Sequence, residues 1–252
     1  MDTDRNRLYK PQKRTRRKYW LDIWRTLAFC NHPLVNREPI IRAQQLVGLR
    51  CLAGDSRVQV GEAPQVISDD FLHWSLTTRI TSAPEYLTCA ERRFNCTRTD
   101  GCEEQFADLI DAEKEGTELY PDVIPSLAAM ESFGVDMGIL SNLWYFPANR
   151  IMADLEVGQF FEPDDCIFSY EVGLRKPDPR IFEEAINRSG RAPVDNVMVD
   201  DNMDVIIGAA KAGMTTVLMD REGKYSPASV AHIPNCTYAT NMAQVMEFIE
   251  SE

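Results

Sequence analysis

The chain has 252 residues, 44% of them hydrophobic, enough apolar material for one large domain or for a core with a smaller companion. No window approaches the run of about 18 apolar residues that a membrane span needs, and the charged N-terminus lacks the apolar stretch of a signal peptide, so no membrane partner is expected and the chain is placed in the cytoplasm. The net charge of −12 hides an asymmetry, because residues 1–18 hold eight Lys/Arg against two acids. Residues 1–17 therefore read as a basic arm, solvated or folded back on an acidic body that would repel a nucleic-acid backbone. The seven cysteines are odd in number and come without a secretion signal, which points to free thiols. Cys89, Cys96 and Cys102 lack the close pairing of a zinc site, and no histidine lies among them.

Tyr19–Leu21 is the first strand signal and runs into Asp22, with Thr26 to Phe29 leading away and a break at Asn31-His32-Pro33. Residues 40–50 have helix-compatible apolar spacing, and residues 51–68 are ambiguous. Residues 69–80 and 103–115 read as helices, the second with Phe106, Leu109 and Ile110 on one face. From 119 onward the pattern is regular: a helix from Tyr120-Pro121-Asp122 to Met130, a strand at Val135–Leu140 ending in Ser141-Asn142, a helix over 147–156 and a short strand at Cys166–Ser169. A helix at Pro179–Ser189 follows, then a strand at Val197–Val199 ending at Asp200, a helix over 203–212 stopped by Gly213, a strand at Thr216–Met219 and a last helix at Ala243–Ser251.

Strands alternating with helices predict an α/β fold with a mainly parallel, Rossmann-like sheet covered on both faces. In such a sheet the carboxyl ends of the strands meet at one crevice, and Asp22, Ser141 and Asp200 all stand at strand ends. The stretch between Asp22 and Ser141 is far longer than one crossover needs. The expected organisation is a core of residues 18–30 and 119–252 with an inserted, mainly helical cap over 31–118.

Asp22 in YWLDIWRTLAF, Ser141 in MGILSNLW, Lys176 in VGLRKPDPRIF and Asp200-Asp201 in VMVDDNMD together resemble the four motifs of the haloacid dehalogenase-like hydrolase superfamily. The resemblance implies that Asp22 is the nucleophile, that Thr26 and Ser141 are hydroxyl donors, and that Ser141, Asn142 and Lys176 bind substrate, with Lys176 also holding Asp22 ionised. It implies Mg²⁺ bound by Asp22, the backbone carbonyl of Trp24 and Asp200, with Asp201 or Asp204 direct or through water. Asp204 reads equally as a helix N-terminal acid favoured by the dipole. A small phosphorylated substrate is the partner this predicts; the oligomeric state is left open.

Two residues depart from the pattern. Family phosphatases carry a second aspartate where this chain has Trp24, and a glycine where it has Arg25. That aspartate protonates the leaving group and then activates water, work an indole cannot do. Three readings follow: a Mg²⁺-dependent phosphatase or phosphotransferase with weakened turnover, an acid borrowed from His32 or His73 being one way around the gap; a 2-haloacid dehalogenase, a type that carries an aromatic residue here and expels halide without a proton; or an inactive binding protein on the same fold. The paired Asp200-Asp201 favours the first.

Overall fold

The computed structural model describes residues 16–31, 43–44, 69–95, 98 and 100–251. Nearly all of the expected arm, most of the helix expected over 40–50, the ambiguous segment 51–68 and His32 lie outside them. In chain order the elements are β1 (Lys18–Leu21), β2 (Ala28–Cys30), α1 (Asp69–Thr77), α2 (Ala83–Phe94), α3 (Cys102–Gly116), β3 (Thr117–Leu119), α4 (Val123–Phe133), β4 (Asp136–Ser141) and α5 (Tyr145–Asn149). A π-helical turn at Arg150–Asp154 leads to β5 (Cys166–Phe168), α6 (Ser169–Val172), α7 (Pro179–Ser189), β6 (Asn196–Asp200), α8 (Met203–Lys211), β7 (Thr215–Met219), α9 (Pro227–Val230), β8 (Cys236–Ala239) and α10 (Met242–Glu250).

Six strands form one sheet in the order β5-β4-β1-β6-β7-β8, all pairs parallel. Strands β1, β4, β6 and β7 are buried along their whole length, as expected of a sheet covered on both faces. The pleat sorts their side chains. Tyr19, Leu21, Val197, Val199 and Val217 face one layer, closed by Val123, Leu127 and Met130 of α4 and Met242, Val245 and Ile249 of α10. Trp20, Leu140 and Met198 face the other, closed by Ile181, Phe182 and Ala185 of α7 and Val205 and Ala209 of α8.

The chain runs outward through β1, β4 and β5 and then returns to place β6 on the other side of β1. That reversal is the switch point where the crevice opens, at the carboxyl ends of β4, β1 and β6. The opposite ends of β1 and β4 are tied by Lys18, buried and paired with Asp136 at 3.0 Å and Asp165 at 2.7 Å. Arg191 reaches Asp136 at 2.6 Å.

Between the first two sheet strands the chain makes an excursion whose two ends meet in a ribbon. Strands β2 and β3 pair antiparallel, with Ala28 opposite Leu119 and Cys30 opposite Thr117. Helices α1, α2 and α3 gather Phe71, Trp74, Tyr86, Leu87, Phe94 and Phe106 into a core of their own, and Trp144 and Phe146 of the sheet-bearing part insert into it. Phe106 and Tyr86 stack at 4.8 Å, and Trp144 meets Tyr86 edge-on at 5.7 Å.

Three differences from the sequence expectation have local causes. Helix α2 is hidden in the sequence because Ser82-Ala83-Pro84 looks like a turn, whereas Pro84 sits in the first helical turn, where its missing N–H is not needed. Strand β8 is hidden because it is a short, half-buried edge strand behind Pro234-Asn235. The helix expected over 147–156 starts earlier, at Tyr145, and widens into the π-helical turn from Arg150.

Candidate active site

Asp22 directly follows β1, and its N–H donates to the Val199 carbonyl at 2.9 Å, so the backbone continues the pairing with β6 up to the carboxylate itself. Beyond it the chain turns sharply. The Ile23 carbonyl accepts from Leu27 and Ala28, each at 2.8 Å, and the Arg25 N–H donates to the Ala28 carbonyl at 2.7 Å. These bonds leave the Trp24 carbonyl out. Arg25 takes a left-handed conformation, φ 61°, which glycine adopts freely and arginine does not.

Lys176 is the centre of the constellation. Its ammonium is buried and donates to Asp22 Oδ1 at 2.7 Å, Asp200 Oδ2 at 2.5 Å and the Leu140 carbonyl at 2.7 Å. All three N–H donors of the group are thereby used. Burial works against its charge, but Asp200 and Asp22 outweigh it and raise the lysine's pKa. Ser141 Oγ donates to the same Asp22 Oδ1 at 2.7 Å and accepts from the Ile23 N–H at 3.4 Å. Both side-chain donors therefore converge on Oδ1 and, among the described residues, leave Asp22 Oδ2 without a hydrogen bond.

Asn142 holds the lysine segment by its backbone, donating to the Lys176 carbonyl and accepting from its N–H, both at 2.8 Å. This pair fixes the loop before α7 against the end of β4. Asp200 accepts from the Asn202 N–H at 2.8 Å through its second oxygen. Oxygens of Asp22, Asp200 and Asp201 lie within 4.8 Å of one another. One ammonium cannot neutralise three carboxylates, so excess negative charge remains. Asp200 is pushed up to about 7, first by burial and then by Asp22, with Lys176 pulling the other way. Asp201 is pushed up to about 6 by burial and by Asp22, with Arg25, Lys176 and Lys224 opposing. Hard oxygen donors in excess negative charge fit a divalent cation such as Mg²⁺.

Not every residue expected in the site joins this cluster. Asp204 lies outside the trio, exposed in the first turn of α8, where its N–H donates to Asn202 Oδ1 at 2.8 Å. Thr26 is fully buried, yet its hydroxyl has no hydrogen-bond partner among the described residues. Trp24 is half-buried and packs against the sheet layer that includes Leu21 and Val199. His73 is exposed on α1.

Two residues that no sequence motif singles out stand close by. Arg221, just past β7, donates from Nε to the Thr26 carbonyl at 2.8 Å. Glu113 of α3 is 1% exposed, and its Oε1 accepts from the indole N–H of Trp144, three residues after Ser141, at 3.2 Å. Its Oε2 has no hydrogen-bond partner among the described residues, and burial pushes the carboxyl up to about 8 despite that bond. No sequence signal marks either: Arg221 stands between Asp220 and Glu222, and Glu113 beside Lys114 and Glu115, where charged residues read as solvated.

A parallel α/β sheet with an acidic crevice at its switch point, lysine at the centre, is the class of site on view. The model of the haloacid dehalogenase-like hydrolase family matches residues 18–213, and the chain belongs to that family. It is 38% identical over 107 residues to a glyceraldehyde 3-phosphate phosphatase of Methanopyrus kandleri, a match covering 42% of this chain and 45% of that protein. It is 31% identical over 166 residues to (S)-2-haloacid dehalogenase 4A of Burkholderia cepacia, covering 64% of this chain and 66% of the relative. The chain thus spans less than half the length of the first relative and about two thirds of the second. Among solved structures it resembles an HAD phosphatase from Thermococcus onnurineus with a TM-score of 0.59 and 19% identity, over 94% of this chain and 99% of that one. It also resembles a Bacteroides thetaiotaomicron family enzyme in complex with magnesium and inorganic phosphate, TM-score 0.54 and 15% identity, over 83% of this chain and 97% of that one. These likenesses are of fold. Among the described residues no helix is long and apolar enough to cross a membrane.

Proposed function

We propose that this chain is a Mg²⁺-dependent phosphoric monoester hydrolase acting on a small phosphorylated metabolite in the cytoplasm. The observation that carries the reading is the convergence of Asp22, Asp200 and Asp201 around Lys176. Asp22 is the nucleophile. Its Oδ1 is held by Ser141 and Lys176, which fixes the carboxylate, while Oδ2 is left to attack phosphorus. Attack forms the bond from Asp22 to phosphorus and breaks the ester P–O bond, releasing the substrate's alcohol oxygen; water then attacks phosphorus, releasing inorganic phosphate and returning Asp22. Asp22, Asp200, Asp201 and the Trp24 carbonyl are the groups that would hold Mg²⁺, whose charge would offset that of the phosphoryl oxygens. Asp204 serves as a negatively charged residue at a helix N-terminus rather than in the site. Asn142 and Lys176 serve by positioning, and substrate oxygens must compete for their donors. Residues 31–118 form the cap that selects substrate, the β2–β3 ribbon being its stem, and residues 1–17 a separate basic arm.

Trp24 leaves the leaving oxygen without a proton donor, so turnover favours esters of acidic alcohols. A dehalogenase reading draws on the same aromatic residue and on the Burkholderia relative. The carboxylate trio argues against it, because a metal-free displacement of halide has no use for Asp201. A panel of small phosphate esters and 2-haloacids, each with and without Mg²⁺, separates the two. Hydrolysis of phosphates that requires Mg²⁺ and is lost in Asp200→Asn supports the proposal; metal-independent halide release would replace it.

A further inference from the structure

Arg221 is bound into the fold at three places. Its side chain is only 7% exposed. Nε donates to the Thr26 carbonyl at 2.8 Å, and Nη1 donates to both Asp122 oxygens at 3.0 and 3.2 Å. The guanidinium lies over the Tyr120 ring, 4.1 Å from its centroid. The bonded segments are themselves joined, because the Tyr120 N–H donates to the Leu27 carbonyl at 3.1 Å and Asp122 Oδ2 accepts from the Met242 N–H at 2.8 Å. Asp122 precedes α4 but gives that helix no side-chain cap; its carboxylate is taken by Arg221 and Met242 instead.

The segments so joined are distinct in role. Residues 22–28 carry Asp22. Residues 117–122 bring the chain back from the helical excursion through the ribbon, and Met242 opens α10 against the sheet. The turn after Asp22 is held in a conformation arginine resists at position 25, and such a conformation persists only where the surroundings fix it. Thr26 supplies no fixing bond of its own, since its hydroxyl is buried and unpartnered. Besides the Ser141 hydroxyl, which accepts from the Ile23 N–H at the start of the turn, the carbonyl grip of Arg221 is a side-chain tie that holds it.

We propose that Arg221 is a positioning residue: it clamps the turn that presents Asp22 to the root of the β2–β3 stem, so that movement of the helical excursion leaves the nucleophile in register with Lys176 and Ser141. The proposal rests on the reading of Asp22 as nucleophile for its kinetic consequence, but not for its structural one. A planar donor set is required, because one ammonium cannot span the Thr26 carbonyl and both Asp122 oxygens while stacking on Tyr120.

The test compares Arg221→Met, Arg221→Lys and wild type in the full chain by site-resolved amide hydrogen exchange, with p-nitrophenyl phosphate turnover in Mg²⁺. Exchange at Arg25, Leu27 and Ala28 should rise about tenfold or more in both variants, while amides of β4 and β6 keep wild-type protection. kcat should fall by about 10- to 100-fold with KM changed less than about threefold, as expected when reacting groups are misplaced but substrate is still held. Arg221→Lys keeps the charge and is the milder fold perturbation, so it decides the case if Arg221→Met does not fold. Unchanged protection of the turn, or protection lost equally across the sheet, would overturn the clamp. If wild type hydrolyses no phosphate, the proposed reaction fails while the exchange measurement still decides the role of Arg221.

Discussion

Glu113 offers the sharpest test of the site's electrostatics. Its carboxyl is buried among the aromatic residues of the helical core, and its pKa is raised from the usual 4.5 to about 8. The folded form therefore holds the proton more tightly than the unfolded chain does. For a raised acid the contribution to stability is greatest below about 4.5, where both states are protonated; it falls as pH rises towards 8 and is then constant. Each pH unit inside that window removes up to about 1.4 kcal/mol, so between pH 5 and 7 the group costs roughly 2–3 kcal/mol. Glu113→Gln keeps an acceptor for Trp144 and has no charge to bury. Urea unfolding at pH 5, 6 and 7 should then show the variant losing about 2–3 kcal/mol less than wild type over that range, and more stable than wild type at pH 7. Asp200 and Asp201 add slopes of the same sign, but they are common to both proteins and cancel in the difference. Parallel stability curves for the two proteins would refute the reasoning, because they would mean that Glu113 titrates in the folded state as it does in water.

The remaining expectations concern the crevice and the sheet. Lys176→Met strands Asp22 and Asp200 as buried carboxylates without their cation, and should cost roughly 3–5 kcal/mol at neutral pH; a urea midpoint equal to wild type would contradict that. Trp24→Asp should raise hydrolysis of alkyl phosphates by up to about 10²–10⁴-fold and that of aryl phosphates by less. An equal change for both ester types would mean that leaving-group protonation is not what Trp24 withholds. Gly138→Ala would put its Cβ 2.7 Å from the Trp20 ring and 2.8 Å from the Asp165 carbonyl. A loss of about 1–3 kcal/mol is expected, and an unchanged thermal midpoint would count against the packing of Trp20 described above.

The sheet strands were legible because parallel strands buried on both faces leave uninterrupted apolar runs, as in Val197–Val199 and Thr216–Met219. The site was legible because each of its members ends such a run or belongs to a recognisable motif. Sequence spacing says nothing, however, about which side chains share a partner. That Ser141 and Lys176 both donate to one oxygen of Asp22 depends on bonds across 119 and 154 residues. Arg221 is 195 residues from the carbonyl it holds, so its place by the turn after Asp22 could not be read in advance. The same distance effect concealed Glu113, whose indole partner arrives with the next sheet strand. Thr26 shows the converse: the motif named the residue, but its hydroxyl makes none of the bonds the motif suggests.

The central place of β1 has a consequence for the newly made chain. The strand's two neighbours pair from Asp136 and from Asn196 onward, so neither edge can be covered until β4 is synthesised, and one edge stays open until β6 follows. At about 5–20 residues per second, the ribosome takes roughly 10–40 s to travel from the end of β1 to the end of β6. Throughout that interval Tyr19, Trp20 and Leu21 keep at least one unpaired edge, the sort that joins other chains edge to edge. The cations Lys13, Arg14, Arg16, Arg17 and Lys18 stand immediately before it, and flanking charge of one sign discourages such pairing. Once the sheet closes, Lys18 is drawn inside between Asp136 and Asp165, so a residue that shields the nascent strand becomes a tie within the finished protein.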